Sequence, residues 1–179
     1  MRVFIIIIFT AFTTGALAQC PKNQAISEEL DEAYRSLKFA KFPRDAQVAT
    51  DVLWSLWTRA PDNRAQRLLN RGMMNLRLGD LAAAEGFLSV LIKYCPDYAE
   101  GYNQRAFARY LAGNFEGALP DLARALSIQP RHLGALSGKG LTHLALGQPE
   151  LAEIEFRKEM ALNPFTADRD LIPNLGTDL

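Results

Sequence analysis

Apolar side chains recur at intervals of three and four residues through most of this chain, and Gly or Pro separates one such run from the next. In the stretch 99–132 the first run ends at Gly113, and a second run extends from Asn114 to Pro130. This spacing places the apolar residues on one face of an α-helix. The pattern therefore predicts a helix, a tight turn, a second helix and a stop.

The same plan repeats with a period of 34 residues on both sides of that stretch. The Gly permits the left-handed turn that ends the first helix, the Ala permits close approach of the two helices, and the Pro ends the second helix. These marks are Gly79, Gly113 and Gly147; Ala84, Ala118 and Ala152; and Pro96, Pro130 and Pro164. Asp80 and Asn114 are the predicted N-caps of the second helices, with Gln148 a weaker substitute.

A chain with these marks resembles the tetratricopeptide repeat (TPR) proteins. Gly72 and Gly140 also match that family's pattern, with Ala106 between them. The large apolar site of each repeat is filled by Leu88, Leu122 and Phe156, whereas the family's usual aromatic sites carry Leu68, Tyr102, Leu136, Asn75, Arg109 and His143. The resemblance implies an all-α fold. We expect a right-handed superhelical array of antiparallel helix pairs (a TPR-like α-solenoid) with regular repeats at 65–98, 99–132 and 133–166.

Residues 27–64 predict a degenerate helix pair before the first regular repeat. We expect Ser27 to cap the first helix of this pair and Asp45 to cap the second, at 46–59. A divergent terminal unit is expected because one of its sides meets water. Trp54 and Trp57 lie in the second helix, where we expect them to pack in the core against the next pair; the alternative is a ligand cage.

Residues 1–18 have the pattern of a secretory signal peptide. Arg2 supplies the basic start, residues 3–12 form the apolar core, and the A-x-A sequence ending at Ala18 is the expected cleavage site. An uncleaved anchor is disfavoured because the apolar run is shorter than the ~20 residues that a span needs. A lipoprotein is disfavoured because Gln19, not a small residue, precedes Cys20. We expect an exported protein of bacterial type in the periplasm, with a linker at 19–26.

Export changes the interpretation of the two cysteines, Cys20 and Cys95. In an oxidising compartment an even count favours pairing, so a Cys20–Cys95 disulfide is expected. The alternative is a small buried Cys95 and a loose, terminal Cys20.

The last repeat predicts how the array ends. Glu159 stands where the earlier second helices have Leu91 and Ala125, and it belongs to a charged run at 153–159 that we expect to be solvated. The tail, 167–179, lacks a helical period, although Leu171 and Ile172 could lie on the final helix. Because no separate solvating helix follows the last repeat, we expect Ile154 and Met160 to be exposed apolar sites, which would allow self-association through the last helix.

Composition and motifs give no support for catalysis. The formal net charge is zero, so nothing indicates a nucleic-acid or anionic-membrane partner. His132 and His143 have no nucleophile at a motif spacing, and no metal-binding or phosphate-binding motif is present. We therefore expect a non-enzyme without a cofactor or metal; an enzyme whose residues meet only on folding is the remaining alternative.

The family resemblance implies that the first helices line a groove for a peptide or helix of a partner. The residues expected to face it are Asn70, Met73, Arg77, Asn103, Phe107, Tyr110, Ser137, Leu141 and Leu144. Phe107 and Tyr110 would be the energetic anchors, and Asn70 or Asn103 would hold a peptide amide. The alternative is that the apolar members are inter-repeat core. The family's carboxylate clamp fits poorly because Gly134 and Gly138 occupy sites that need a basic side chain.

Two functions follow from these expectations. The first is an exported adaptor that recruits a protein through the groove. The second is a structural scaffold that self-associates, or stabilises an envelope complex, through its ends or convex face.

Overall fold

The protein is described from a computed structural model that covers residues 20–21 and 26–172. The predicted signal peptide and most of the tail lie outside these residues. Across these described residues, eight α-helices and one short 3₁₀ helix follow one another: α1 Ser27–Lys38, α2 Pro43–Trp57, α3 Asn63–Leu78, α4 Leu81–Tyr94, α5 Ala99–Leu111, α6 Phe115–Ile128, α7 Leu133–Ala145, α8 Pro149–Leu162 and the 3₁₀ helix Ala167–Leu171. Within the described residues there are no strands, and no helix is long and apolar enough to cross a membrane.

The turns inside the three regular repeats have the predicted geometry. Gly79, Gly113 and Gly147 have φ of 76°, 75° and 70°, a left-handed conformation that favours Gly over residues with a side chain. Asp80 caps α4 by accepting from the backbone N–H of Ala83, and Asn114 caps α6 in the same way. Gln148 is the N-cap residue of α8, as predicted, but its side chain makes no capping hydrogen bond; its side-chain oxygen instead lies 2.7 Å from Nδ1 of His143.

Close contact between the two helices of a repeat depends on the small residues. A Cβ at Gly72 would lie 2.6 Å from Cγ of Leu88, and one at Gly140 would lie 2.3 Å from Cε1 of Phe156. Both distances are shorter than any real contact, so only Gly fits opposite these side chains. The middle repeat tolerates Ala106 opposite Leu122, and both side chains are buried.

First helices α3, α5 and α7 also contact one another, whereas the second helices α4, α6 and α8 pack chiefly against first helices. A layer of helices in mutual contact lies on the inner side of a curved array. This arrangement gives α3, α5 and α7 the common face on which the groove was predicted.

One repeat position carries a cation in all three regular repeats, but its partner changes. The three pairs are Arg71 with the ring of Phe87 at 5.5 Å, Arg105 with both carboxylate oxygens of Asp121 at 2.8 and 2.7 Å, and Lys139 with Glu155 at 2.9 Å. From the middle repeat, Arg105 also donates to Ser89 of α4, and Arg109 donates to Glu85 of α4 at 2.7 Å. The α6–α7 junction instead packs apolar side chains such as Ala125.

The N-terminal pair is present, but it does not stack on α3 as the next unit of the array. Its core includes Leu133 of α7, and Leu162 of α8 packs against it. The hydroxyl of Tyr34 donates to the carbonyl of Arg131, 97 residues away. The ring of Trp57 stacks on a residue of the third repeat, as described below. The expectation that Trp57 is core is confirmed, but the expectation that it packs against the next pair is wrong.

The helix starts within this pair also differ from the predictions. Ser27 is the first residue of α1 and Ile26 is its N-cap, and α2 begins at Pro43 rather than after Asp45. Pro is well suited to the first position of a helix, since it has no N–H to leave unsatisfied and its φ is already helical. Pro43 is therefore the first residue of α2, three residues before the predicted start at 46.

The predicted disulfide is present between Cys20 and Cys95, the residue that follows α4. Cys95 is buried beside Leu91 and Tyr98, and Cys20 packs against that cluster. The bond therefore attaches the segment before α1 to the first regular repeat.

The C-terminal end of the array is covered by the tail. Ile172 is buried against Phe156 and Ala152 of α8, so the expectation that it could lie on the final helix is confirmed. The charged run of α8 is not wholly solvated, because Glu155 and Glu159 are buried. Lys139 and Lys158 pair with Glu155, while Thr166 donates to Glu159 at 2.8 Å.

Candidate functional site

A cavity of about 430 Å³ lies over the face formed by α3, α5 and α7, and α2 closes one side of it. Its walls are mostly apolar. The lining residues are Trp54 from α2; Met73, Leu76 and Arg77 from α3; Asn103, Gln104, Ala106, Phe107 and Tyr110 from α5; Leu122 from α6; and Gly134, Ser137, Gly138, Leu141 and Thr142 from α7. The volume is in the range of clefts that bind small ligands or side chains.

The structure brings together seven of the nine residues predicted for the groove. They are Met73, Arg77, Asn103, Phe107, Tyr110, Ser137 and Leu141. Asn70 and Leu144 do not line the cavity. Asn70 is exposed and accepts from Gln66 at 3.0 Å, while Leu144 packs against the core cluster of the last repeat.

The misplacement of Asn70 has a simple cause in the repeat register. Counting back 34 residues from Asn103 gives Leu69, which is fully buried, and Asn70 corresponds to Gln104. Counting back from Tyr110 gives Leu76, which does line the cavity. Strict use of the 34-residue period would have found Leu76 and Gln104, which the helical spacing alone missed.

Trp54 was predicted to pack in the core, but its side chain lines the cavity. Its side chain remains 37% exposed and meets Trp57 edge to face, with ring centroids 5.6 Å apart. A Cβ on Gly134 would lie 3.4 Å from the Trp54 ring, in ordinary contact. Gly134 therefore borders this indole at the start of α7, although an Ala would also fit there. Gly134 gives no sequence signal for the position of Trp54.

The predicted anchors Phe107 and Tyr110 differ in how much of each side chain is buried by other residues of the protein. Phe107 is 49% exposed, so about half of the residue's surface contacts water. Tyr110 is half-buried and its ring lies 5.3 Å from that of Phe115. Met73 and Leu141 are half-buried, and each packs against a core cluster while it lines the cavity. Both side chains therefore belong partly to the inter-repeat core and partly to the cavity wall.

A buried polar network supports one wall of the cavity. Glu100 receives hydrogen bonds from Asn103 at 3.2 Å and Gln104 at 2.5 Å, and its carboxylate lies 2.8 Å from Nε2 of His132. Nδ1 of His132 accepts from the backbone N–H of Ala135, so the ring proton is on Nε2 and is donated to Glu100. One of the two N–H donors of the Asn103 amide is therefore engaged with Glu100 inside the fold.

The same network holds α2 in place. The imidazole of His132 is stacked on the ring of Trp57, with centroids 4.1 Å apart. The hydroxyl of Tyr98 donates to the carbonyl of Trp57 at 2.6 Å, and burial, with the nearby charge of Glu100, raises the pKa of Tyr98 well above its usual value. Burial likewise raises the pKa of Tyr34 to about 12, so both phenols stay protonated donors at neutral pH.

No family model matches the chain. It is 31% identical over 159 residues to human tetratricopeptide repeat protein 36, which covers 85% of this chain and 84% of that protein. A TPR repeat-containing protein of Rhizobium etli is 28% identical over 142 residues, 79% of this chain and 69% of that one.

Solved structures show the same fold. The first TPR of Spaghetti bound to an HSP90 peptide has a TM-score of 0.59 at 20% identity and covers 60% of this chain and 85% of that one. A crystal structure of MamA has a TM-score of 0.52 at 20% identity, covering 80% of this chain and 74% of that one. Repeat marks, helix pairs and relatives agree: the chain belongs to the tetratricopeptide repeat family, whose members are protein-interaction modules rather than enzymes.

Proposed function

We propose that this protein is an exported adaptor that holds an apolar segment of a protein partner in the cavity over α3, α5 and α7. The observation that carries the proposal is Phe107, which keeps 49% of its surface exposed among apolar lining residues. Exposed aromatics at the centre of binding surfaces contribute much of the affinity when a partner covers them. The Spaghetti domain, which shares this fold, is described with an HSP90 peptide bound.

The lining suggests the chemistry of the partner segment. Arg77 is the one charged side chain among the lining residues given above. Asn103 and Ser137 add neutral polar groups on α5 and α7. A partner that presents an apolar side chain with a carboxylate beside it would satisfy both the apolar walls and Arg77. Trp54 shares the cavity, so the partner packs against α2 as well as against the array.

A pull-down from bacterial periplasmic extract tests this proposal, with the mature chain as bait. Phe107→Arg places a charge in the cavity, and the matched control is Val90→Arg on α4, because Val90 is also 49% exposed and lies outside the cavity lining. Both variants must first show the helical melting curve of the wild type. We expect a partner that is retained by the wild type and by Val90→Arg but lost by Phe107→Arg. Retention by all three baits would move the site away from the cavity.

We also propose that residues 1–18 direct export and that the mature chain begins at Gln19. The Cys20–Cys95 disulfide supports this, because disulfides persist in oxidising compartments and are rare in the cytosol. The intact mass of the protein recovered from a bacterial periplasmic fraction, measured after thiol alkylation with and without prior reduction, tests both points. A mass that retains residues 1–18, or two thiols free before reduction, would contradict the proposal.

A second candidate function is self-association through the last helix. Leu151 and Ile154 are exposed on α8, although Met160 is half-buried against the end cluster and contributes less than predicted. If this surface joins two copies, Ile154→Glu would shift a dimer peak to a monomer in size-exclusion chromatography with light scattering. A wild-type protein that is already monomeric would exclude this form of the scaffold.

A further inference from the structure

We propose that the turn joining α1 to α2 docks on an anionic phospholipid surface. This turn and its flanks, residues 35–44, are called the basic tip. It presents two phenylalanines to water, Phe39 at 73% and Phe42 at 66% exposure. Both are at the hairpin end of the N-terminal pair, three residues apart, and the inference is independent of what the cavity binds.

The charge of the basic tip is of one sign. Residues 35–44 contain Arg35, Lys38, Lys41 and Arg44 and no carboxylate, although Asp45 follows directly. All four cations are exposed. Within the described part of the chain, none of the four is ion-paired; the one side-chain contact is from Arg35 to the backbone carbonyl of Asp31.

Helix electrostatics explains only part of this arrangement. Arg35 and Lys38 are in the last turn of α1, where a cation is stabilised by the helix dipole. Arg44 is in the first turn of α2, where the same dipole disfavours a cation. Its place there is not explained by the stability of α2 and is consistent with an external anion.

The two phenylalanines are not needed by the core beneath them. Leu37, Ala46 and Ala49 are buried between α1 and α2, and Ala40 packs against them. The core of the pair is therefore complete without Phe39 or Phe42. Large apolar side chains at an exposed convex turn, surrounded by cations, have the composition of segments that lie in the interface of a bilayer.

The carboxylates of α1 all lie N-terminal to the four cations. Glu28 and Glu29 are at the opposite end of α1, about 15 Å from Lys38 at about 1.5 Å per residue, which exceeds the Debye length of about 8 Å at physiological ionic strength. Asp31 pairs with Arg131, and Glu32 is about 9 Å from Lys38 along the helix, so these two carboxylates reduce the positive field chiefly at Arg35. A chain with zero formal net charge can thus present a local basic surface, which overall charge conceals. A convex tip that inserts aromatic rings favours a lipid surface over an acidic protein groove.

Vesicle co-sedimentation of the disulfide-intact mature protein tests the proposal. The vesicles contain phosphatidylcholine alone or with about 30% phosphatidylglycerol. We expect binding to the anionic vesicles only, and weaker binding as salt rises from about 50 to about 500 mM. Lys41→Gln/Arg44→Gln should lower the partition coefficient about 25-fold, since each basic residue near such a surface contributes about fivefold. Phe39→Ser/Phe42→Ser should lower it at least about tenfold.

Matched controls keep the test specific. Arg67→Gln removes an exposed cation on α3, and Leu78→Ser removes an apolar side chain as exposed as those of the tip. Both controls should bind as the wild type does, and all variants should melt at its temperature. Equal binding to neutral vesicles, no binding to anionic vesicles, or no loss in the tip variants would overturn the proposal. Phe-independent binding to polyglutamate as strong as to vesicles would also overturn it, because the tip would then be a general polyanion site.

Discussion

The two ends of the repeat array are completed in different ways. At the N-terminal end, a helix pair folds back across α7, stacks Trp57 on His132 and is attached through Cys20–Cys95. At the C-terminal end, a short segment ending at Ile172 covers α8. The first closure depends on a covalent bond and aromatic packing. The second places Thr166 and Asp168 beside a buried Glu159, so its stability depends on a proton.

The largest expected effect is the loss of the disulfide. Its cysteines are 75 residues apart, and the chain-entropy model assigns about 4 kcal/mol of unfolding free energy to a loop of this length. Urea denaturation with and without reductant measures the difference. Cys20→Ser is the control, because its stability should equal that of the reduced wild type and should not respond to reductant. Equal midpoints for the oxidised and reduced wild type would show that the bond does not secure the N-terminal end.

Substituting the two tryptophans of α2 one at a time should distinguish a core residue, Trp57, from a cavity residue, Trp54, by the loss of unfolding free energy. Trp57→Ala removes a buried ring and should cost about 3–5 kcal/mol of unfolding free energy. Trp54→Ala removes a ring that is over one-third exposed and should cost less than about 2 kcal/mol. Hydrogen exchange should show faster opening of α1 and α2 in Trp57→Ala, with protection in α4–α6 retained. Equal costs for the two variants would contradict the packing described for α2.

At the C-terminal end, stability should fall as pH rises. Burial, with the neighbouring Asp168, raises the pKa of Glu159 from 4.5 to about 8. Between these values the unfolded chain has released a proton that the folded chain keeps, so the unfolding free energy decreases, by at most about 1.4 kcal/mol per pH unit. The dependence should be strongest in the window from pH 4.5 to 8.

Glu159→Gln should flatten that slope, and Glu150→Gln, at an exposed position of the same helix, should leave it unchanged. Urea denaturation across pH 5–8 measures both variants. A wild-type slope identical to that of Glu159→Gln would show that the carboxyl does not control this end.

The smallest expected effect is at the basic tip. Phe39→Ser should change the unfolding free energy by no more than about 0.5 kcal/mol, because the ring is exposed and makes no part of the core between α1 and α2. Leu37→Ala, at a fully buried position two residues earlier, should cost about 2–5 kcal/mol. A large loss in Phe39→Ser would mean that the ring supports the pair.

The regular repeats were predictable because their determinants are local. Gly79, Gly113 and Gly147 fix turns within a few residues, and each buried Ala meets a partner on the adjacent helix. Nearest-neighbour packing of this kind is what a periodic sequence encodes. The same period placed most of the lining residues of the cavity correctly. The error at Asn70 arose because the 34-residue period was not applied strictly. The error at Leu144 arose because this side chain packs against the core cluster of the last repeat.

The two ends were not predictable in the same way. Tyr34 and Arg131 meet across 97 residues, and no spacing in the sequence indicates that pairing. Glu159 was expected to be solvated because it belongs to a charged run, but it is buried. Nothing in that run indicates that a short C-terminal segment covers it. The exposure of Phe39 and Phe42 was likewise not predictable, because it depends on other apolar residues of the pair filling the core between α1 and α2.

The changing partners at the cation position also limit how such an array can lengthen. Arg105 and Arg109 reach back to Ser89 and Glu85 of the preceding repeat. In the middle repeat the corresponding positions are Leu119 and Ala123. In a second copy of the middle repeat inserted after the first, both guanidinium groups would keep the pairing with their own Asp121 but would lose the contacts that Ser89 and Glu85 provide. Tandem duplication of this repeat would thus create a junction with fewer polar contacts than the α4–α5 junction has.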